Sequence, residues 1–235
     1  MNSRLAVLSD RLTVLRVPAM AYNAGIFVCL NDACVIDPGL DEDDLRLIRQ
    51  AAGEQQARVT SVVLTHYHWD HVMGAAAFPD AEVVVQAESV AVAAESGPAI
   101  ARQVREWRRQ AGDAQEFALP EPDATFETRL ELPVGEERLE LLAAPGHAPE
   151  QLVAWHAGSG MLWAADMLSD VEIPFVMQSL GEYRRTVDAL AALPVRALVP
   201  GHGSPTTETG EIRRRFDDDR RYLAALGEAV AAAVQ

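Results

Sequence analysis

The segment Thr65-His66-Tyr67-His68-Trp69-Asp70-His71 constrains the fold more than any other stretch of the chain. It follows Val59 to Leu64, a short, β-branched and nearly uncharged run that reads as a buried strand. The strand is expected to end at Thr65 and release the chain into a tight loop. That loop carries three of the protein's six histidines together with one carboxylate. A single metal ion rarely takes four ligands from so short a segment. Two adjacent ions could share them, His66 and His68 facing one, Asp70 and His71 the other. Neutral imidazole and carboxylate suit zinc, and they also suit iron or manganese.

The flanking pattern is strands followed by a helix, given twice, with no linker between the halves, so both are expected to share one core. In the first half, strands are expected over Leu12 to Val17, Gly25 to Leu30 and Ala33 to Ile36, the last two turning at Asn31-Asp32. Asp37-Pro38-Gly39 breaks the sheet. Asp41 then caps a helix that Gly53 ends. His71 to Ala77 reads as a short helix and Ala81 to Gln86 as a strand. Glu88 to Glu95 is a short helical candidate, and Gly97-Pro98 opens a second, with proline at its first position. The second carries an apolar stripe of Ile100, Val104, Trp107 and Ala111, with arginines around it. Together with the loop Gly112 to Asp123 it makes a helical insertion at about 88–123 in a single domain of 1–235.

In the second half, Thr125 to Leu132 alternates as one strand, followed by strands over Arg138 to Ala143, Gln151 to His156, Met161 to Ala165 and Arg196 to Val199. Leu168 to Leu180 is an irregular loop. Tyr183, Val187 and Leu190 mark a helix. A long final helix from about Thr209 buries Ile212, Phe216, Leu223, Leu226 and Val230.

Charge narrows the partners. The formal charge is -15, and all 20 basic residues are arginine. So acidic a surface repels phosphate backbones, which argues against nucleic acid. No apolar run is long enough for a membrane span, and the first ten residues show no export signal, so a cytoplasmic location is expected. Cys29 and Cys34 read as buried free thiols. A small-molecule substrate is the expected partner. The oligomeric state is left open, a homodimer being compatible.

Three further residues stand where strands end beside glycine or a small residue: His147 in Pro-Gly-His, Asp166 in Ala-Ala-Asp and His202 in Gly-His-Gly. With the 66–71 loop they make five histidines and two aspartates, a set that suits two metals sharing one carboxylate. His-x-His-x-Asp-His, Pro-Gly-His, the Asp after an apolar strand and Gly-His-Gly, in this order over nearly the whole chain, resemble the metallo-β-lactamase-fold hydrolases. Ile36-Asp37-Pro38-Gly39 is similar to a further signature of that family.

The resemblance implies an α+β, four-layer αββα sandwich with two divalent metal ions, zinc first, at one edge of the sheets. It implies that His66, His68 and His147 hold the first ion, that Asp70, His71 and His202 hold the second, and that Asp166 bridges. Asp37 would lie behind them and orient a ligand imidazole. His156 matches no position of the motif. The implied activity is a hydrolase that attacks an ester, thioester or lactone carbonyl with a metal-bridging hydroxide, Asp70 being a ligand and a proton shuttle. Asp166 in place of cysteine resembles the glyoxalase II, lactonase and thioesterase branch. A mononuclear-iron sulfur dioxygenase of the same fold and a β-lactam hydrolase are the alternatives. Tyr67, Trp69, Phe175 and Arg105 are the candidate substrate contacts.

Overall fold

The computed structural model describes residues 3–112 and 116–233. Seven strands form the first sheet, in spatial order: β1 (Leu5–Val7), β2 (Leu12–Val17), β3 (Tyr22–Cys29), β4 (Asp32–Ile36), β5 (Arg58–Val63), β6 (Glu82–Gln86) and β7 (Ala124–Phe126). β1 to β4 pair antiparallel, and β4 to β7 pair parallel. The parallel half needs crossovers: α1 (Glu42–Glu54) joins β4 to β5, and α2 (Ser89–Gln110) lies between β6 and β7. The second sheet runs in the order β12 (Ala197–Val199), β11 (Met161–Trp163), β10 (Leu152–His156), β9 (Glu137–Ala143) and β8 (Arg129–Val134). α3 (Leu180–Ala191) and α4 (Thr209–Ala233) complete the chain.

The period-2 alternation of each strand assigns its two faces to two different cores. In β3, Ala24, Ile26 and Val28 pack toward α1 and α2, whereas Phe27 and Cys29 pack between the sheets. In β10, Leu152 and Ala154 face the other sheet, while Val153 and Trp155 pack toward α3 and α4. Three apolar layers of this kind require four structural layers, so the αββα sandwich follows from strands buried on both faces. Hydrogen bonds close the sandwich at one edge. Asn23 Nδ2 donates to the carbonyls of Pro200 and Gly203, both at 2.9 Å, and the Leu152 amide donates to Thr65 O at 2.8 Å.

Several sequence expectations are corrected. Thr125 to Leu132 is not one strand. The chain leaves the first sheet after Phe126 and enters the second at Arg129, so its two halves pair with different partners. The helical candidates on either side of Gly97-Pro98 are a single helix, α2, with Pro98 inside it. Proline removes one backbone donor there, but Val92 and Ala93 before it and Ile100 and Val104 after it pack on one apolar layer, which holds both halves in line. The β3–β4 turn falls on Leu30-Asn31, one residue earlier than expected, with Leu30 at φ 56°. Between His71 and Ala77 the helix is confined to a 3₁₀ turn at Ala75–Ala77. β1 gave no sequence signal. Val230 is exposed because α4 outruns the core it covers. Residues 113–115 of the expected 112–123 loop lie outside the described residues. Cys29 and Cys34 are buried and free, and burial pushes the Cys34 thiol up to about 12. Among the described residues, no helix is long and apolar enough to cross a membrane.

Candidate metal centre

Five segments that follow strands meet at the closed edge: those after β4 (Asp37), β5 (residues 66–71), β9 (His147), β11 (Asp166) and β12 (His202). Two donor groups result. Ligand atoms of His66, His68, His147 and Asp166 lie within 4.8 Å of one another, and so do those of Asp70, His71 and His202. The Asp166 carboxylate stands between the groups. Its Oδ2 is 3.6 Å from His66 Nε2 and 3.4 Å from His147 Nε2, while its Oδ1 is 3.3 Å from His71 Nε2 and 3.7 Å from His202 Nε2.

Hydrogen bonds behind the imidazoles fix their tautomers. His147 Nδ1 donates to Phe175 O at 2.9 Å, and His202 Nδ1 to Met20 O at 3.0 Å. His71 Nδ1 faces Asp37 Oδ2 at 3.1 Å. Thr65 Oγ1 donates to Asp37 Oδ2 at 2.9 Å, which leaves its oxygen to accept from His66 Nδ1 at 3.0 Å. The Nε2 atoms of all four rings therefore point at the centre.

The donor set fits metal ions. His66 Nε2 and His147 Nε2 each lie 3.0 Å from His68 Nδ1, and a single N–H on His68 can satisfy only one of them. Two nitrogens about 2.0–2.1 Å from one tetrahedral ion would stand roughly 3.3 Å apart, close to this spacing. His71 Nε2 and Asp166 Oδ1 are buried without a hydrogen-bond partner, since the pair is close but not aligned. Burial and then the neighbouring imidazoles hold His68 down to about 2, and burial and His66 hold His147 down to about 4, so both rings are neutral. Burial also opposes charge on His202, but the hydrogen bond with Asp70 and the charge of Asp166 outweigh it and raise His202 to about 9. The carboxylates thus demand positive charge at the second group.

Backbone geometry supports the centre. Asp37 and Ala165 have φ of 49° and 48°, and Met20 and Leu168 beside the site have φ of 57° and 60°. Left-handed conformations of such residues cost about 1–3 kcal/mol each and collect at sites that need them. Gly201 admits the carboxylate: a Cβ there would lie 2.4 Å from Asp166 Oδ1.

A cavity of about 1030 Å³ opens over both groups. Tyr67, Trp69 and Phe175 line it; Arg105 does not, being exposed on the outer side of α2. Tyr67 is buried, its hydroxyl donating to Pro120 O at 2.9 Å. Tyr22 is part of the core, its hydroxyl donating to Asp37 O at 2.9 Å. Tyr183 packs beneath the centre and donates to Asp166 O at 3.2 Å. His156 is apart from the centre, 2.8 Å from Ser159 Oγ at the β10–β11 turn. Sequence reasoning missed Thr65, Trp163, Gln151 and Glu150. Gln151 Oε1 accepts from the Asp166 amide at 3.3 Å, and Glu150 Oε1 from the Tyr67 amide at 3.0 Å. An acidic residue three positions after His147 was the available signal for Glu150.

Known proteins share this architecture. The hydroxyacylglutathione hydrolase of Acidiphilium cryptum (strain JF-5) is 27% identical over 225 residues, which is 94% of this chain and 80% of that protein. The hydroxyacylglutathione hydrolase of Saccharophagus degradans is 29% identical over 180 residues, but the match spans only 55% of its length. The crystal structure of a metallo-beta-lactamase family protein from Thermus thermophilus superposes with a TM-score of 0.71 at 22% identity, over 94% of this chain and 81% of that one. The profile of the family described as the Metallo-beta-lactamase superfamily matches residues 27–202. With two packed sheets, the buried His/Asp centre and that match over most of its length, the chain belongs to the metallo-beta-lactamase superfamily and is similar to hydrolases within it.

Proposed function

We propose that this protein is a binuclear, zinc-dependent hydrolase of a small-molecule ester, thioester or lactone. The observation that carries the proposal is the division of the Asp166 carboxylate, one oxygen toward His66 and His147 and the other toward His71 and His202. His66, His68 and His147 would hold one ion, Asp70, His71 and His202 the other, and Asp166 both. Bound there, a pair of divalent cations supplies a water acidic enough to ionise near neutral pH and a Lewis acid for the substrate carbonyl.

The chain's own residues do the rest. The Nδ1–H donors to Phe175 O, Met20 O and Asp37 keep the rings oriented without rearrangement. Asp70 lines the cavity, and although burial opposes its ionisation, His71 and His202 keep its pKa below the ordinary carboxylate value. It can therefore take the proton released when water adds to the acyl carbon and deliver it to the departing sulfur or oxygen. The acyl–sulfur or acyl–oxygen bond breaks, and a carboxylate and a thiol or alcohol leave. The relatives named hydroxyacylglutathione hydrolase support thioesters as the first class to try.

Elemental analysis of the purified protein, joined to a panel of thioesters, lactones, β-lactams and phosphoesters, tests the proposal. Two equivalents of zinc with acyl-ester turnover are expected. One equivalent of iron, with oxygen consumed on a persulfide, would overturn it in favour of a dioxygenase.

A further inference from the structure

The walls of the cavity carry a second message beside the donor atoms. Among the described residues, no arginine lines it, although arginine supplies all 20 cations of the chain. Outside the two donor groups its charged lining is wholly acidic: Glu95 on α2, Glu172 on the loop after β11, and Glu150. Glu150 is 1% exposed, and its Oε2 is buried without a hydrogen-bond partner while Oε1 is held by the Tyr67 amide. Away from the donor groups, an anion lying against these walls meets three carboxylates and, among the described residues, no guanidinium to receive it.

The remaining wall is apolar. Val171, Ile173, Phe175 and Met177 alternate along one strap, all line the cavity, and each is between 58% and 63% exposed. Large apolar side chains grouped in this way at the mouth of a cleft mark a surface meant to be covered. Val92, Ile100 and Trp69 continue the apolar lining from α2 and the 66–71 loop.

Resting on the hydrolase reading, we propose that the substrate is an ester or thioester with an apolar acyl chain and no negative charge on it, and that anionic substrates, glutathione conjugates included, are selected against. The acyl chain lies along the Val171–Met177 strap, and the carboxylates of Glu95, Glu172 and Glu150 repel acids while tolerating neutral or cationic groups. The preference therefore runs opposite to what the names of the curated relatives imply, since glutathione carries two carboxylates.

Calorimetric titration of the metal-loaded protein with three nine-carbon methyl ketones, ended distally by a methyl, a trimethylammonium or a carboxylate group, tests this without turnover. The neutral and cationic ketones are expected to bind at least tenfold more tightly than the carboxylate, and the gap should shrink at high salt. Equal or tighter binding of the carboxylate-ended ketone, or no binding by any of the three, overturns the proposal. In the Glu95→Gln, Glu172→Gln double variant the gap is expected to narrow at least threefold, and an unchanged gap removes these side chains as its cause. Thioester turnover, measured in parallel, decides the hydrolase reading separately. The expected binding order without any turnover would remove that reading alone, whereas turnover with the carboxylate-ended ketone bound best would remove only the substrate class.

Discussion

The Asp37 carboxylate lies 3.1 Å from Nδ1 of His71, and both side chains are fully buried. Every neighbour of that carboxylate is a donor. Its Oδ1 accepts from the Thr65 amide at 2.9 Å, and its Oδ2 from Thr65 Oγ1 at 2.9 Å and Trp163 Nε1 at 3.4 Å. Asp37 therefore ties β4, the 66–71 loop and β11 into one rigid floor, with the second donor group standing on it.

Asp37→Asn puts an NH₂ group against one of these donors. A loss of metal affinity of about 10–100-fold is expected from the released imidazole, with a stability loss of about 1–3 kcal/mol for the unsatisfied bond. Chelator competition and urea titration measure the two. Unchanged metal affinity would show that Asp37 does not position His71.

His68→Ala removes the nitrogen that stands 3.0 Å from both His66 Nε2 and His147 Nε2. His68 is half-buried at the cavity rather than in the core, so the variant should stay folded, lose at least one metal equivalent and lose turnover. Elemental analysis beside a thermal melt gives the result, and retained activity would count against the ligand assignment.

Gly201→Ala would drive a methyl to 2.4 Å from Asp166 Oδ1 and 3.1 Å from His71 Cε1. The carboxylate must rotate or β12 must shift, at a cost of about 1–3 kcal/mol, and metal content should fall below two equivalents. Gly53→Ala is the control. A Cβ there meets nothing within 4 Å inside α1, so it should stabilise by roughly 0.5–1 kcal/mol.

Burial pushes Asp219 up to about 7, even though its Oδ2 accepts from the Leu168 amide at 3.1 Å. A carboxyl whose folded pKa is raised binds a proton in the native state that the unfolded chain has given up. Its stabilising effect is complete below about pH 4 and is lost as pH rises through about 7, at most about 4 kcal/mol. Stability by urea titration should fall between about pH 4 and pH 7, and Asp219→Asn, which keeps an acceptor for Leu168, should flatten that slope. A parallel slope in the variant would assign the effect to another group.

The sequence alone settled whatever is written within a few residues. The short β-branched run Val59 to Leu64 made a strand, capping at Asp41 began a helix, and five histidines beside two aspartates at strand ends marked a candidate metal centre, because neutral imidazoles and carboxylates at turns have few other uses. Tertiary structure decided what depends on pairing between distant segments. Thr125 to Leu132 alternates without a break, yet splits between two sheets because β6 captures one half and β9 the other. Pro98 reads as a helix start, yet α2 passes through it because one apolar layer grips both sides. The division of the Asp166 oxygens between two donor groups, and the acidic, arginine-free walls above them, arise only when β4, β5, β9, β11 and β12 end at one edge. Periodicity is a local property of the chain, whereas convergence is fixed by which strands bond across the sandwich.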